Sequence, residues 1–99
     1  MKKILVLCDA GEVRSVAMAK VLREKGHFAV AGSHSNYVKA SHRIYRKGFG
    51  VHTDEFLFFD EVIFMQEGGE HFIGRDEWGD CDNYDLVRLC KDKAKELGL

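Results

Sequence analysis

Lys2-Lys3-Ile4-Leu5-Val6-Leu7-Cys8-Asp9-Ala10-Gly11-Glu12-Val13-Arg14-Ser15 decides how this chain is read. Ile4 to Leu7 is an unbroken run of four apolar residues, which suits a short strand buried on both faces. A cysteine ends the run, Gly11 marks a tight loop, and residues 15–25 form an amphipathic stretch closed by Gly26. Strand, loop and helix N-terminus together bind anions, because unbonded backbone N–H groups and the positive end of the helix dipole point into the loop. Here such a site holds a thiol at one end and a guanidinium at the other.

The chemistry follows from those two groups. Only the thiolate is a good nucleophile, and a free cysteine ionises near pH of about 8.5. A helix N-terminus and a nearby cation favour the thiolate, each pKa unit being worth about 1.4 kcal/mol. Arg14 presents a planar fork that matches two phosphate oxygens. The Ser15 hydroxyl is placed to donate to the sulfur. A cysteine at the end of a buried strand is often only a small core hydrophobe, and its spacing to an arginine arises by chance in many chains. The strand before, the glycine within, and the serine and helix after are the context that a catalytic loop requires.

Cys8, five intervening residues, then Arg14 and Ser15 resemble the phosphate loop of the protein tyrosine phosphatase superfamily. Its place directly after the first strand is similar to the low-molecular-weight branch and its arsenate reductase relatives. The interior differs: that branch has Gly-Asn at Ala10-Gly11 and often a second cysteine at Val13. The wording is closer to the dual-specificity loop, Cys-x-Ala-Gly-x-x-Arg-Ser. Those larger enzymes place long segments ahead of the cysteine, whereas seven residues precede Cys8 in this sequence. Gly11 reaches the positive φ of the family's asparagine without steric cost, but lacks its side-chain hydrogen bonds. The resemblance implies Cys8 as nucleophile and residues 9–15 (Asp9, Ala10, Gly11, Glu12, Val13, Arg14, Ser15) as the phosphate cradle.

Composition bounds the rest. Ninety-nine residues, 45% hydrophobic, make one domain over 1–99 with a single core. A net charge of −1 points to neither a nucleic-acid nor a membrane partner. The opening apolar run is too short for a secretory segment. Three cysteines fit a reducing, cytoplasmic setting rather than a disulfide scaffold. The five histidines show no metal spacing, and no metal or other cofactor is expected.

Along the chain, Ala17 and Val21 with Met18 and Leu22 make the inner face of the first helix, while Lys20, Arg23, Glu24 and Lys25 face solvent. Residues 27–33 alternate as a second strand. A helix is expected over 36–47, with a basic outer face read as solvated, and a short capped helix over 51–55. The third strand is placed at 61–65, a weak helix over 66–73 interrupted by Gly68-Gly69, a poor edge strand at 75–79, and a last helix over 84–97. The expected fold is α/β: one open, mainly parallel sheet of four strands, order 2-1-3-4, with helices on both faces, similar to the low-molecular-weight phosphatases.

Phosphoryl transfer to water needs a proton for the leaving oxygen. The family supplies it from an Asp-Pro-Tyr near the C-terminus, and Asp82-Asn83-Tyr84 stands at the matching place with Asn for Pro. By that resemblance Asp82 is the general acid, with Asp80 next, and Tyr84 flanks the substrate ring. The plain alternative is that Asp80, Asp82 and Asp85 only cap the last helix. The function implied is a phosphatase acting on a phosphorylated protein, phosphotyrosine or a small aryl phosphate through a phosphocysteine. Two alternatives stand beside it: an arsenate reductase, or a cysteine phosphocarrier similar to the IIB component of sugar phosphotransferase systems, which has a similar loop without the arginine. A third possibility is an inactive phosphate-binding relative, because Asp9 and Glu12 repel phosphate if they point inward.

Overall fold

Cys8 stands at the carboxyl end of the central strand of a parallel sheet. The computed structural model describes residues 1–9, 11–33, 59–74 and 78–99. Their elements run β1 (Lys3–Cys8), α1 (Arg14–Glu24), β2 (Phe28–Ser33), β3 (Glu61–Phe64) and α2 (Tyr84–Glu96). The described sheet has three strands in the order β2-β1-β3, and both pairs are parallel. Register places Lys3 opposite Phe28 and Cys8 opposite Ser33 on one side. On the other, Ile4 meets Glu61 and Leu7 meets Phe64. The chain is therefore a small α/β fold with an open parallel sheet.

The apolar run of β1 behaves as its sequence predicts. Ile4 through Cys8 are all fully buried, although alternate residues point to opposite faces of the pleat. Ile4, Val6 and Cys8 join Ala17, Met18, Val21 and Leu22 of α1 and Leu86, Cys90 and Ala94 of α2 in one core cluster. Both described helices thus pack on one face of the sheet. Leu5 and Leu7, on the opposite face, are equally buried. Each large side chain in such a core contributes about 1.5–3 kcal/mol by leaving water.

The helix ends obey local rules. At α1, the Gly26 amide donates to Arg23 O at 3.0 Å and the His27 amide to Leu22 O at 3.1 Å, with Gly26 at φ +91°. That is a Schellman stop, which closes the last carbonyls of the helix. The same bonding recurs at Gly98 and Leu99 after α2. Asn83 begins α2, its Oδ1 accepting the amides of Asp85 at 3.0 Å and Leu86 at 3.2 Å.

Several expectations change in detail. The cap of the last helix is Asn83, not one of the aspartates. Residues 66–73 form turns rather than a helix: Gly68 sits at φ +80°, outside helical geometry. The helices expected at 36–47 and 51–55 lie outside the described residues. So does most of the edge strand expected at 75–79, whose last two positions are bends. Among the described residues no helix is long and apolar enough to cross a membrane.

Candidate functional site

In an open parallel sheet the crevice lies beyond the carboxyl ends of the strands. Three segments meet there: residues 8, 9 and 11–15 at the junction of β1 and α1, Ser33 at the end of β2, and residues 65–74 after β3.

The cysteine sulfur is buried and turned into the loop. The Gly11 amide donates to Cys8 Sγ at 3.2 Å, and the Cys8 thiol donates to Ser15 Oγ at 3.1 Å. The Ser15 hydroxyl carries a donor as well as acceptor lone pairs, so it can also donate to the sulfur. Gly11 is at φ +73°, and a Cβ on it would stand 2.8 Å from Gly32 C and from Ser33 N. Loop and β2 therefore touch backbone to backbone. The Ser33 hydroxyl adds a hydrogen bond to Asp9 O at 2.9 Å.

Helix α1 opens without a side-chain cap at Val13 and without an acid in its first turn. Capping groups and first-turn acids usually satisfy a helix start. Val13 itself is half-buried and packs on the core cluster.

Arg14, the first residue of α1, is only 2% exposed. Nη1 donates to Met65 O at 3.1 Å and Gly74 O at 3.0 Å, and Nη2 to Asp9 Oδ2 at 2.9 Å. Its guanidinium also stands 5.9 Å from the centre of the Phe72 ring, within cation–π range. Asp9 Oδ2 accepts the Glu67 amide at 3.2 Å as well. Of the two loop acids, Asp9 thus faces the arginine while Glu12 is exposed. Hydrogen bonds join Cys8 with Gly11 and Ser15, and Arg14 with Asp9, the neighbour of Cys8 in the chain. Ala10 lies outside the described residues.

The acidic loop before α2 is arranged differently. Asp82 is 74% exposed at its side chain and accepts Lys20 Nζ at 3.2 Å. Its amide donates to Asp80 Oδ1 at 3.2 Å. Lys20 lies five positions beyond Ser15 on α1, about 7.5 Å further along the helix. Among the described residues no hydrogen bond or ion pair joins Asp82 to residues 8–15. Tyr84 is the first residue of α2 and is 80% exposed.

Charge states separate these candidates. The Asp82 amide, and then Cys81, hold the Asp80 carboxyl below its ordinary range, which makes it a poor proton donor near neutrality. Asp82 holds Lys20 protonated to higher pH than usual, with Cys81 adding to the effect. Asp80, Cys81 and Asp82 place three ligating atoms within 4.8 Å of one another. Lys20 Nζ donates to two of these residues, so the chain's own cation is seated there. Burial pushes the Cys90 thiol up to about 12, a poor starting point for thiol exchange.

Sequence reasoning missed the wall after β3. Two of its contributions, Met65 O and Gly74 O, are backbone carbonyls and carry no residue signature. Ser33 was within reach, since parallel register alone sets it beside Cys8. No family model matches the chain, and neither a curated protein nor a solved structure does.

Proposed function

We propose that this protein hydrolyses phosphate monoesters, phosphotyrosine or a small aryl phosphate, through a phosphocysteine on Cys8. The observation that carries this reading is the pairing at the loop. A buried sulfur receives a backbone N–H at 3.2 Å, and an arginine only 2% exposed opens the uncapped helix beside it. A purely structural cysteine has no need of either. The fold that goes with it is a four-stranded sheet, order 2-1-3-4, of the low-molecular-weight phosphatase kind, with helices on both faces. The observed β2-β1-β3 order is consistent with its first three strands. A cytoplasmic setting keeps the thiol reduced.

In the first step the Cys8 thiolate attacks phosphorus, the P–S bond forms, and the P–O bond to the leaving group breaks. Loop amides and Arg14 carry the charge that spreads over the equatorial oxygens. The leaving oxygen takes a proton from Asp82, which must first part from Lys20. In the second step Asp82 accepts a proton from water, the water oxygen attacks phosphorus, and the P–S bond breaks to free phosphate and restore the thiolate.

One observation favours a second reading. Asp82 bonds to Lys20 rather than to the loop, and a phosphocarrier needs no general acid. The cysteine would then hold phosphate for transfer to an acceptor. Burst kinetics with an aryl phosphate on wild type, Cys8→Ser and Arg14→Lys decide between them. A phosphatase gives a burst and turnover in wild type, nothing in Cys8→Ser, and a loss of about a hundredfold or more in Arg14→Lys, on the order of 3 kcal/mol. Near-wild-type turnover in Cys8→Ser excludes the phosphocysteine. A stable phosphocysteine that survives Arg14→Lys and passes its phosphate to an acceptor identifies the carrier.

A further inference from the structure

Arg14 is held by contacts of two kinds. Met65 O and Gly74 O belong to main chain at the end of β3 and in the turns after it, and together they fix Nη1. Asp9 meets Nη2 with a side chain that is 56% exposed. The carbonyls therefore set the direction of the guanidinium, whereas Asp9 brings a negative charge to it from the solvent side of the loop. The Glu67 amide steadies that carboxylate at 3.2 Å. Asp9 reaches the guanidinium through one oxygen, Oδ2 on Nη2, a donor that an anionic phosphate oxygen would also seek.

On the reading that residues 8–15 hold phosphate, we propose that Asp9 determines which phosphate they hold. Its carboxylate is an internal anion that competes for Arg14 and biases the loop toward singly charged over doubly charged phosphoryl groups. A dianion must either displace Asp9 from Nη2 or share one guanidinium with it. A monoanion meets about half that repulsion, since the Coulomb energy scales with the ligand charge. Glu12 does not play this part: it is exposed, and among the described residues it makes no hydrogen bond or ion pair.

The test measures binding rather than turnover. The probes are phenylphosphonate, at a pH where it carries two charges and has no ester bond to cleave, and its singly charged monomethyl ester, whose methoxide is too poor a leaving group to be expelled during the titration. Titration calorimetry is run on wild type, Asp9→Asn, Asp9→Ser and Asp9→Glu, each first shown by thermal melting to be folded. Asp9→Asn keeps an oxygen for Arg14 and removes the charge. It is expected to tighten phenylphosphonate by about tenfold or more, as the loss of a charged competitor predicts. The monomethyl ester should tighten only by about the square root of that factor, about threefold for a tenfold effect, because its single charge feels about half the repulsion. Asp9→Ser should follow Asp9→Asn, and Asp9→Glu should stay with wild type. Unchanged or weaker phenylphosphonate binding in the two neutral variants overturns the proposal. So does equal tightening of both probes, or no binding by any variant. If the neutral variants tighten phenylphosphonate but wild type hydrolyses no aryl phosphate, the role of Asp9 stands and the phosphatase reading falls.

Discussion

Replacing Gly11 with alanine tests whether the loop is built as described, independently of any activity. Two costs add. An L-residue at φ +73° is strained by about 1–2 kcal/mol. The new methyl would also stand 2.8 Å from Gly32 C and Ser33 N, where the obstruction is main chain and cannot swing aside. Overpacking of that kind costs about 1–3 kcal/mol. Gly26→Ala is the control, because Gly26 has φ +91° with nothing within 4 Å of its Cβ position, so only the backbone cost applies. Urea melts of the two variants should then differ by about 1–3 kcal/mol, Gly11→Ala losing about 3 kcal/mol in all. For a domain of this size that corresponds to a Tm lower by about 12 °C or more. The Gly11 amide should also move off the sulfur, so its exchange with solvent should speed up more than the global loss of stability accounts for. If the two variants lose the same stability, the close approach of loop and β2 is absent, and the cradle is not the one described.

Asp82→Asn should slow phenyl phosphate by about a hundredfold but nitrophenyl phosphate by less than about fivefold, since a good leaving group hardly needs a proton; Asp80→Asn should affect both little, and coincident leaving-group slopes for Asp82→Asn and wild type would remove Asp82 from the mechanism. The Cys90 thiol is raised from 9.0 to about 12, so the unfolded chain loses that proton first. Its contribution to stability is whole below about pH 9 and is lost as pH rises toward 12, at about 1.4 kcal/mol per pH unit. Denaturant melts of wild type and Cys90→Ala through the alkaline range should converge, and parallel curves would contradict the burial of this thiol.

What the sequence revealed was whatever depends on near neighbours. The run Ile4 to Leu7, the helix face of Ala17, Met18, Val21 and Leu22, and the stop at Gly26 are set by local periodicity and turn chemistry, and all three appear in the structure. The meeting of Cys8, Gly11 and Ser15 was legible for the same reason, since one loop and one helix turn hold them. The capping alternative holds for Asp85, which is the acid of the first turn, while the N-cap is Asn83, and only geometry chooses it over the equally suitable Asp80 and Asp82 beside it. The wall of residues 65–74 was hard to read because it acts mostly through main chain, Met65 O, Gly74 O and the Glu67 amide, with the Phe72 ring its one side chain on Arg14 among the described residues. The Lys20–Asp82 pair joins residues far apart in sequence, and no local pattern encodes such a contact.

These facts bear on how Arg14 is to be tested. Its side chain serves the fold as well as the chemistry proposed for it: it fills a buried site, supplies donors to Met65 O and Gly74 O, and balances Asp9. Truncation to alanine would leave a cavity and strand two carbonyls, at about 1–3 kcal/mol for each acceptor left unpaired, and would leave the half-exposed Asp9 without its guanidinium. Lost activity in Arg14→Ala would therefore say nothing about phosphate. Lysine keeps the charge and most of the reach while giving up the planar fork. It can satisfy Asp9 or a carbonyl, but it cannot hold two phosphate oxygens side by side. Arg14→Lys is for that reason the substitution that separates transition-state stabilisation from structural support. Its melt and its burst amplitude belong to one experiment: a folded protein that still forms phosphocysteine but turns over a hundredfold more slowly places the arginine in the chemistry, whereas a proportionate loss of stability and activity places it only in the fold.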